Sequence, residues 1–253
     1  MNNATIRASG LSVSYGDSVV LDSLDFECRD GEFVAIVGKS GTGKSTFLNA
    51  LAGFVPYRGS ATVPDSVGYV FQSHALFPWM TVRKNIMFGL GQMSRSQRRQ
   101  RAREMLDRIE MPEFAKRYPS ELSGGQVQRV ALARALAPDP DVLLMDEPYG
   151  ALDHHTRDRM QDWLLSVWQD SKKTVLFVTH YIEEAIFLAD RIVVLRDERF
   201  VANVEVPFSR PRSGDIRFTE RFLDMKHEVL DCMENDRHDH TESSVKPPRL
   251  KEK

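Results

Sequence analysis

Residues 5–30, TIRASGLSVSYGDSVVLDSLDFECRD, alternate apolar and polar side chains, and the alternation breaks at Tyr15-Gly16-Asp17. A period of two predicts half-buried strands, and the glycine at the break predicts a turn between them. EFVAIVG (32–38) is a continuous apolar run rich in branched residues. A strand of that kind is buried on both faces, as in a parallel sheet. VGYVFQ (67–72), DVLLMD (141–146) and TVLFVT (174–179) predict three more strands. RIVVLRD (191–197) and FVANVEV (200–206) predict a hairpin near the end of the sheet.

Between these strands the period changes. STFLNALAG (45–53) reads as a helix that stops at Gly53. Residues 94–110, SRSQRRQRAREMLDRIE, are heavily charged, with Ala102, Met105, Leu106 and Ile109 on one apolar face at helical spacing. A further helix is predicted over 124–137, ended by Pro138 and Pro140. The pattern describes an α/β core interrupted by a helical insert at about 73–140, without internal repeats.

Composition narrows the class without naming a function. The chain has 253 residues, 42% hydrophobic and 28% charged, enough apolar mass for a sizeable core. A formal charge of -2 is not that of a nucleic-acid-binding polycation. The arginines of 95–108 are interleaved with Glu104, Asp107 and Glu110 and lack stacking aromatics, so they read as a solvated helix face, with no nucleic-acid partner expected. Cys28 and Cys232 lie far apart and read as idle thiols in a reducing cytosol. No apolar run approaches a membrane span, and MNNATIRASG lacks the apolar core of a signal peptide. The expectation is a cytosolic chain with a polar, disordered tail over 233–253, in which His238 and His240 are solvated. The pair His154-His155 reads as the exposed start of a helix.

Two stretches carry chemistry. GKSGTGKS (38–45) follows a predicted strand and opens a predicted helix, the context that makes a G-x-x-x-x-G-K-[ST] loop specific for phosphates. Gly38, Lys39, Ser40, Gly41, Thr42 and Gly43 would turn backbone N–H groups toward a nucleotide. The helix start adds its positive dipole end. Lys44 would reach the β- and γ-phosphates, Ser45 would offer a hydroxyl to Mg²⁺, and Thr46 a further hydroxyl. VLLMDE (142–147) ends an apolar strand with two carboxylates. Asp146 suits Mg²⁺ held through water, and Glu147 suits orienting or deprotonating an attacking water.

LSGGQ (122–126) makes the reading more specific, because the chain there resembles the ABC ATPases, and it does so from about residue 5 to residue 206. The resemblance implies a P-loop NTPase core with an N-terminal antiparallel β subdomain and an inserted α-helical subdomain, one ATPase domain over 1–232. Tyr15 matches the aromatic that stacks on adenine. Gln72 matches a glutamine that contacts Mg²⁺ at the hinge to the insert. Ala151-Leu152-Asp153 matches the dimer loop after the catalytic Glu147, and His180 matches the switch histidine. The resemblance further implies a head-to-tail homodimer with two ATP molecules between the subunits. Ser123, Gly124, Gly125 and Gln126 of one chain would then meet the ATP of the other.

The segment after Gln72, SHALFPWMTVRKNIMFGL, is similar to that of importers for nitrate, sulfonates, taurine and related solutes, with Phe77-Pro78-Trp79 where Leu-Pro-Trp is more usual. Leu76, Phe77, Trp79 and Met80 would dock an integral-membrane permease, itself served by an extracytoplasmic solute-binding protein. Residues 207–212 resemble the Pro-Arg-Pro-Arg segment that ends such proteins. The implied location is peripheral, on the cytoplasmic face of the inner membrane. Two departures stand out: the stretch from Gly53 to Gln72 is short, which predicts a trimmed hairpin, and Asp197-Glu198 replaces an Asp-Gly turn. The rival reading is a soluble ABC ATPase such as that of iron–sulfur cluster assembly.

Overall fold

The computed structural model describes residues 4–73, 75–150 and 152–234. The alternating N-terminal stretch forms β1 (Ala4–Tyr15) and β2 (Ser18–Arg29), an antiparallel pair that turns at Gly16. The first continuous apolar run is β3 (Phe33–Val37), buried at all five positions. It leads into α1 (Lys44–Leu51), which stops at Gly53 with φ 74. The short stretch that follows is not a local hairpin. It supplies β4 (Arg58–Thr62), which pairs antiparallel with β1, and then β5 (Val67–Val70), which pairs with a strand of the other sheet. Gly59 makes the first pairing possible, because a Cβ there would sit 2.3 Å from the Gly10 carbonyl oxygen.

The insert comprises α2 (Val82–Met87), α3 (Arg95–Arg108) and α4 (Gly124–Leu136). Thr81 caps α2 and Ser94 closes a capping box on α3 with Gln97. Ala102, Met105, Leu106 and Ile109 are buried, as their spacing predicts. The chain then returns through β6 (Val142–Asp146), α5 (His154–Ser171), β7 (Thr174–Thr179), α6 (Ile182–Leu188), β8 (Arg191–Arg196), β9 (Arg199–Glu205) and α7 (Glu220–Glu234).

The large sheet has the order β5-β6-β7-β3-β8-β9 and is parallel except for β9, which closes a hairpin with β8 at the edge. Alternate residues of the same strand face opposite layers. Val34, Ile36, Leu144, Leu176 and Val178 pack with β1, β2 and α1. Phe33, Ala35, Val37, Met145 and Phe177 pack with the insert and with α5, α6 and α7. Both faces are therefore dry, which is why these strands read as unbroken apolar runs. Burying a side chain such as Phe177 stabilises the fold by roughly 1.5–3 kcal/mol.

Three sequence features resolve here. Asp197 and Glu198 form the β8–β9 turn with φ 47 and 67, so two side-chain-bearing residues occupy the left-handed region that a glycine would occupy without strain. Arg210 and Arg212 close the C-terminal end of α6: Arg212 donates to the carbonyls of Ile186, Phe187 and Ala189, and Arg210 to that of Leu188 and to Asp190. These bonds satisfy carbonyls that the helix leaves without partners. Last, α7 runs through Glu234 and Met233 is buried, so the helix continues past the expected boundary at 232. His238, His240 and the rest of the tail lie outside the described residues, as do His74 and Ala151. No helix among the described residues is long and apolar enough to cross a membrane.

Candidate functional site

Three adjacent parallel strands, β6, β7 and β3, bring their C-terminal ends to one edge of the sheet. The phosphate-type loop follows β3, Asp146 and Glu147 end β6, and His180 follows β7. Residues more than a hundred positions apart in sequence meet there because the strands share one register, with Val37 opposite Thr179 and Asp146 opposite Val178.

The loop is held from several sides. A Cβ at Gly38 would lie 2.3 Å from the Leu195 carbonyl oxygen of β8. One at Gly43 would lie 2.7 Å from Leu21 Cδ2 and 3.0 Å from the Val20 carbonyl oxygen of β2. Gly43 also has φ 98, a conformation that side chains disfavour, and it begins α1 without any side chain capping the helix. Lys39, Ser40 and Gly41 are exposed, and the Thr42 hydroxyl donates to the Lys39 carbonyl at 2.9 Å. Lys44 is buried, and its ammonium donates to the carbonyls of Gly38 and Lys39, each at 2.9 Å. Burial holds its pKa below the usual lysine value, against the opposing pull of Glu147 and Asp146.

The carboxylates are divided in role by their partners. Asp146 accepts a hydrogen bond from the Ser45 hydroxyl at 2.7 Å. Burial raises its pKa; the Ser45 bond and Lys44 oppose that rise, and Glu147 adds to it. Glu147 sits with φ 40, a strained backbone of the kind that clusters at functional sites. One of its oxygens lies 3.0 Å from His180 Nδ1 and accepts from Gln72 Nε2 at 3.3 Å; the other lies 3.9 Å from Lys44 Nζ. Glu147 is thus the point where the phosphate loop, the hinge glutamine and the β7 histidine converge. The Ser45 and Asp146 oxygens are 2.7 Å apart and Gln72 meets the neighbouring Glu147, so these three residues offer hard oxygens of the kind that suits Mg²⁺.

Other predicted residues stand apart. Tyr15 is 53% exposed at the end of β1, opposite Ser18, on the hairpin whose second strand touches Gly43. Ser123 caps α4 in a capping box with Gln126. No hydrogen bond or ion pair among the described residues joins Ser123, Gly124, Gly125 or Gln126 to the phosphate loop. The two glycines instead abut the segment after Glu147: added Cβ atoms would lie 3.1 Å from Leu152 Cδ2 and 3.0 Å from Thr156 Cγ2. Asp153 caps α5 by accepting from the Thr156 N–H at 3.0 Å. His154 faces Asp158 at 3.3 Å.

The aromatic segment after Gln72 splits. Trp79 is 70% exposed and Phe77 is half-buried, their rings 5.5 Å apart, whereas Leu76 packs against the core of the insert. Met80 is half-buried, and its carbonyl accepts from Asn85. Phe77 lines a cleft of about 380 Å³ together with Phe71, Phe88 and Arg134, which sequence reasoning did not single out. Their common signal is tertiary, because β5, the residues just after α2, and α4 each contribute one wall.

Comparison with known proteins bears on the family and the fold. A family model described as ABC transporter matches residues 21–150. The chain is 44% identical over 235 residues to the aliphatic sulfonates import ATP-binding protein SsuB of Mycobacterium sp. (strain MCS), spanning 91% of this chain and 94% of that relative. It is 42% identical over 234 residues to the taurine import ATP-binding protein TauB of Rhizobium johnstonii, spanning 85% and 89%. Among solved structures, the dimeric bacterial ABC transporter cassette MJ0796 superposes with a TM-score of 0.71 at 34% identity, covering 81% of this chain and all of the cassette. A post-hydrolysis state of the same cassette, bound to ADP and Pi, matches with a TM-score of 0.71 at 32% identity. With a P-loop NTPase core, an antiparallel β subdomain and an inserted helical subdomain, and with this degree of likeness, the chain belongs to the ABC transporter family of ATP-binding proteins.

Proposed function

We propose that this chain is the ATP-hydrolysing subunit of an importer for a small sulfonate-like solute such as taurine. The observation that carries the hydrolytic part is the convergence of Lys44, Gln72 and His180 on Glu147. In this reading Gly38 to Gly43 and the uncapped start of α1 bind the phosphates through backbone N–H groups. Lys44 faces the β- and γ-phosphates, Thr46 adds a hydroxyl, and Tyr15 stacks on adenine. Ser45, Gln72 and, through water, Asp146 hold Mg²⁺, which would spread the negative charge of the transferring phosphoryl group.

Glu147 orients a water in line with the γ-phosphorus and takes its proton. The oxygen of that water bonds to phosphorus as the bond to the bridging oxygen of ADP breaks, leaving ADP and phosphate. His180, 3.0 Å from the Glu147 carboxylate, fixes its orientation beside the γ-phosphate. Two chains assemble head to tail, with Ser123, Gly124, Gly125 and Gln126 of each facing the ATP of the other and Asp153 at the dimer loop. The dimeric state of the similar cassette supports this arrangement.

Coupling runs through a separate permease that docks at Phe77, Trp79 and the cleft they border, with Leu76 and Met80 beneath, at the cytoplasmic face of the membrane. A solute-binding protein outside delivers the cargo. The names of the relatives carry this part and favour an importer over a soluble assembly ATPase.

Glu147→Gln tests the hydrolytic reading. Phosphate release should fall by about 10²-fold or more while ATP binding persists and a nucleotide-bound dimer accumulates on size exclusion. Turnover like that of the wild type would refute the role of Glu147. For the cargo, a deletion strain should lose growth on taurine or aliphatic sulfonates as sole sulfur source; unchanged growth on both would remove that solute class.

A further inference from the structure

Arg157 lies one turn into α5, outside the loops discussed so far, and its guanidinium group reaches three segments. It donates to the Leu152 carbonyl at 3.0 Å. Its carbon lies 3.9 Å from the centre of the Tyr181 ring. Its Nε faces Glu184 Oε1 at 3.4 Å, outside hydrogen-bond geometry. The pair is well sheltered, with side chains 15% and 3% exposed. No charge would be held this deep for solubility, and the cost of desolvating two ions is recovered only where the geometry is specific.

Each partner of Arg157 leads to the catalytic edge. Leu152 precedes Asp153 and lies against Gly124. The Tyr181 ring lies 4.0 Å from the His180 ring, centre to centre. Glu184 accepts from the Thr179 hydroxyl at 2.6 Å, and the same hydroxyl accepts from the Tyr181 N–H at 3.0 Å. Thr179, His180 and Tyr181 form one turn, so it is held on both sides of the histidine.

We propose that Arg157 is a positioning residue for hydrolysis, fixing the His180 turn relative to the loop that carries Asp153 and touches Gly124. It links the histidine beside Glu147 to the segment packed against the serine–glycine helix start, so the two halves of a composite site move together. The planar guanidinium suits this task because its donors point outward in one fixed plane while its face rests on an aromatic ring. A lysine could pair with Glu184 but could not also donate to Leu152 and lie flat on Tyr181. Burial pushes the Glu184 carboxyl up to about 7, a rise opposed by the Thr179 bond and the Arg157 charge.

The inference rests on the hydrolytic reading above, and Glu147→Gln run in parallel reports on that reading alone. The test uses Arg157→Lys and the double variant Arg157→Met/Glu184→Gln, because removing Arg157 alone would strand a buried carboxylate. We expect both variants to bind ATP within about twofold of wild type and to fall by about threefold or more in kcat with little change in KM. The ring resonances of His180 should shift while those of His227, on α7, stay in place. A kcat within about threefold of wild type in the double variant, with His180 unshifted, would overturn the proposal. So would a loss of turnover that tracks a loss of ATP affinity, or failure of both variants to fold.

Discussion

Helix α1 begins behind Gly43 with no side chain over its N-terminus, whereas α4 begins behind Ser123, whose hydroxyl and backbone N–H both bond to Gln126. Both starts are marked by glycine, yet the glycines are there for different reasons. Gly43 has positive φ and no room for a Cβ against β2. Gly124 and Gly125 have ordinary helical backbone and abut the side chains of Leu152, Thr156 and, more loosely, Met160. The first start is built around its own chain: Lys44 and two carboxylates crowd it, and no side chain caps it. The second is satisfied within its own turn, and the charges beside it, Glu110, Glu113, Arg129 and Arg159, include the Arg129–Glu110 ion pair. A helix N-terminus whose loop supplies no side-chain cap keeps its donors available to a ligand. Where the cap is filled by the helix's own side chains, as at Ser123 and Gln126, fewer donors are left for a ligand.

The comparison can be broken most forcefully at Gly43. Gly43→Ala should destabilise the chain by about 2–3 kcal/mol, from backbone strain and the clash with Leu21, and should abolish nucleotide binding. Thermal melting and fluorescent-nucleotide titration would detect both effects. Gly124→Leu should act oppositely: the isolated chain should bind ATP unchanged while hydrolysis drops by about 10²-fold. Loss of nucleotide binding in this variant would mean that the α4 start serves its own chain's site.

The smallest effect sharpens the electrostatic difference. The folded state raises the pKa of Asp146 above its unfolded value of 3.8. The folded chain therefore holds more protons than the unfolded chain just above that pH, and stability falls as pH rises through the window between the two values. Asp146→Asn should match wild type near pH 3 and gain up to about 1 kcal/mol at neutral pH, measured by urea unfolding across pH. A pH-independent difference would count against a charge penalty at this position.

Much of the catalytic edge was legible because its strands are buried on both faces. Continuous apolar runs located β3, β6 and β7, and residues at their ends had to lie together. In the insert, α3 was legible from its apolar face and α4 from the prolines that end it, whereas the short α2 was not. β4 was not, because RGSAT is mostly exposed and exists as a strand only through its pairing with β1. Nor was the cluster of Arg157, Tyr181 and Glu184, whose members lie on separate elements and carry no pattern of their own. The cleft walled by Phe71, Phe88 and Arg134 escaped notice for the same reason. Linear pattern finds what a strand dictates; contacts between elements need the fold.

The shared register of β6, β7 and β3 turns the sheet into a measuring device. Sliding β7 by a single residue would carry His180 roughly 3.3 Å along the strand direction, beyond hydrogen-bond reach of Glu147. The same slip would exchange Phe177 and Val178 between the two packed layers. A frame error that silences the chemistry therefore also scrambles the core, so misregistered molecules are removed by instability before they can compete as inactive copies.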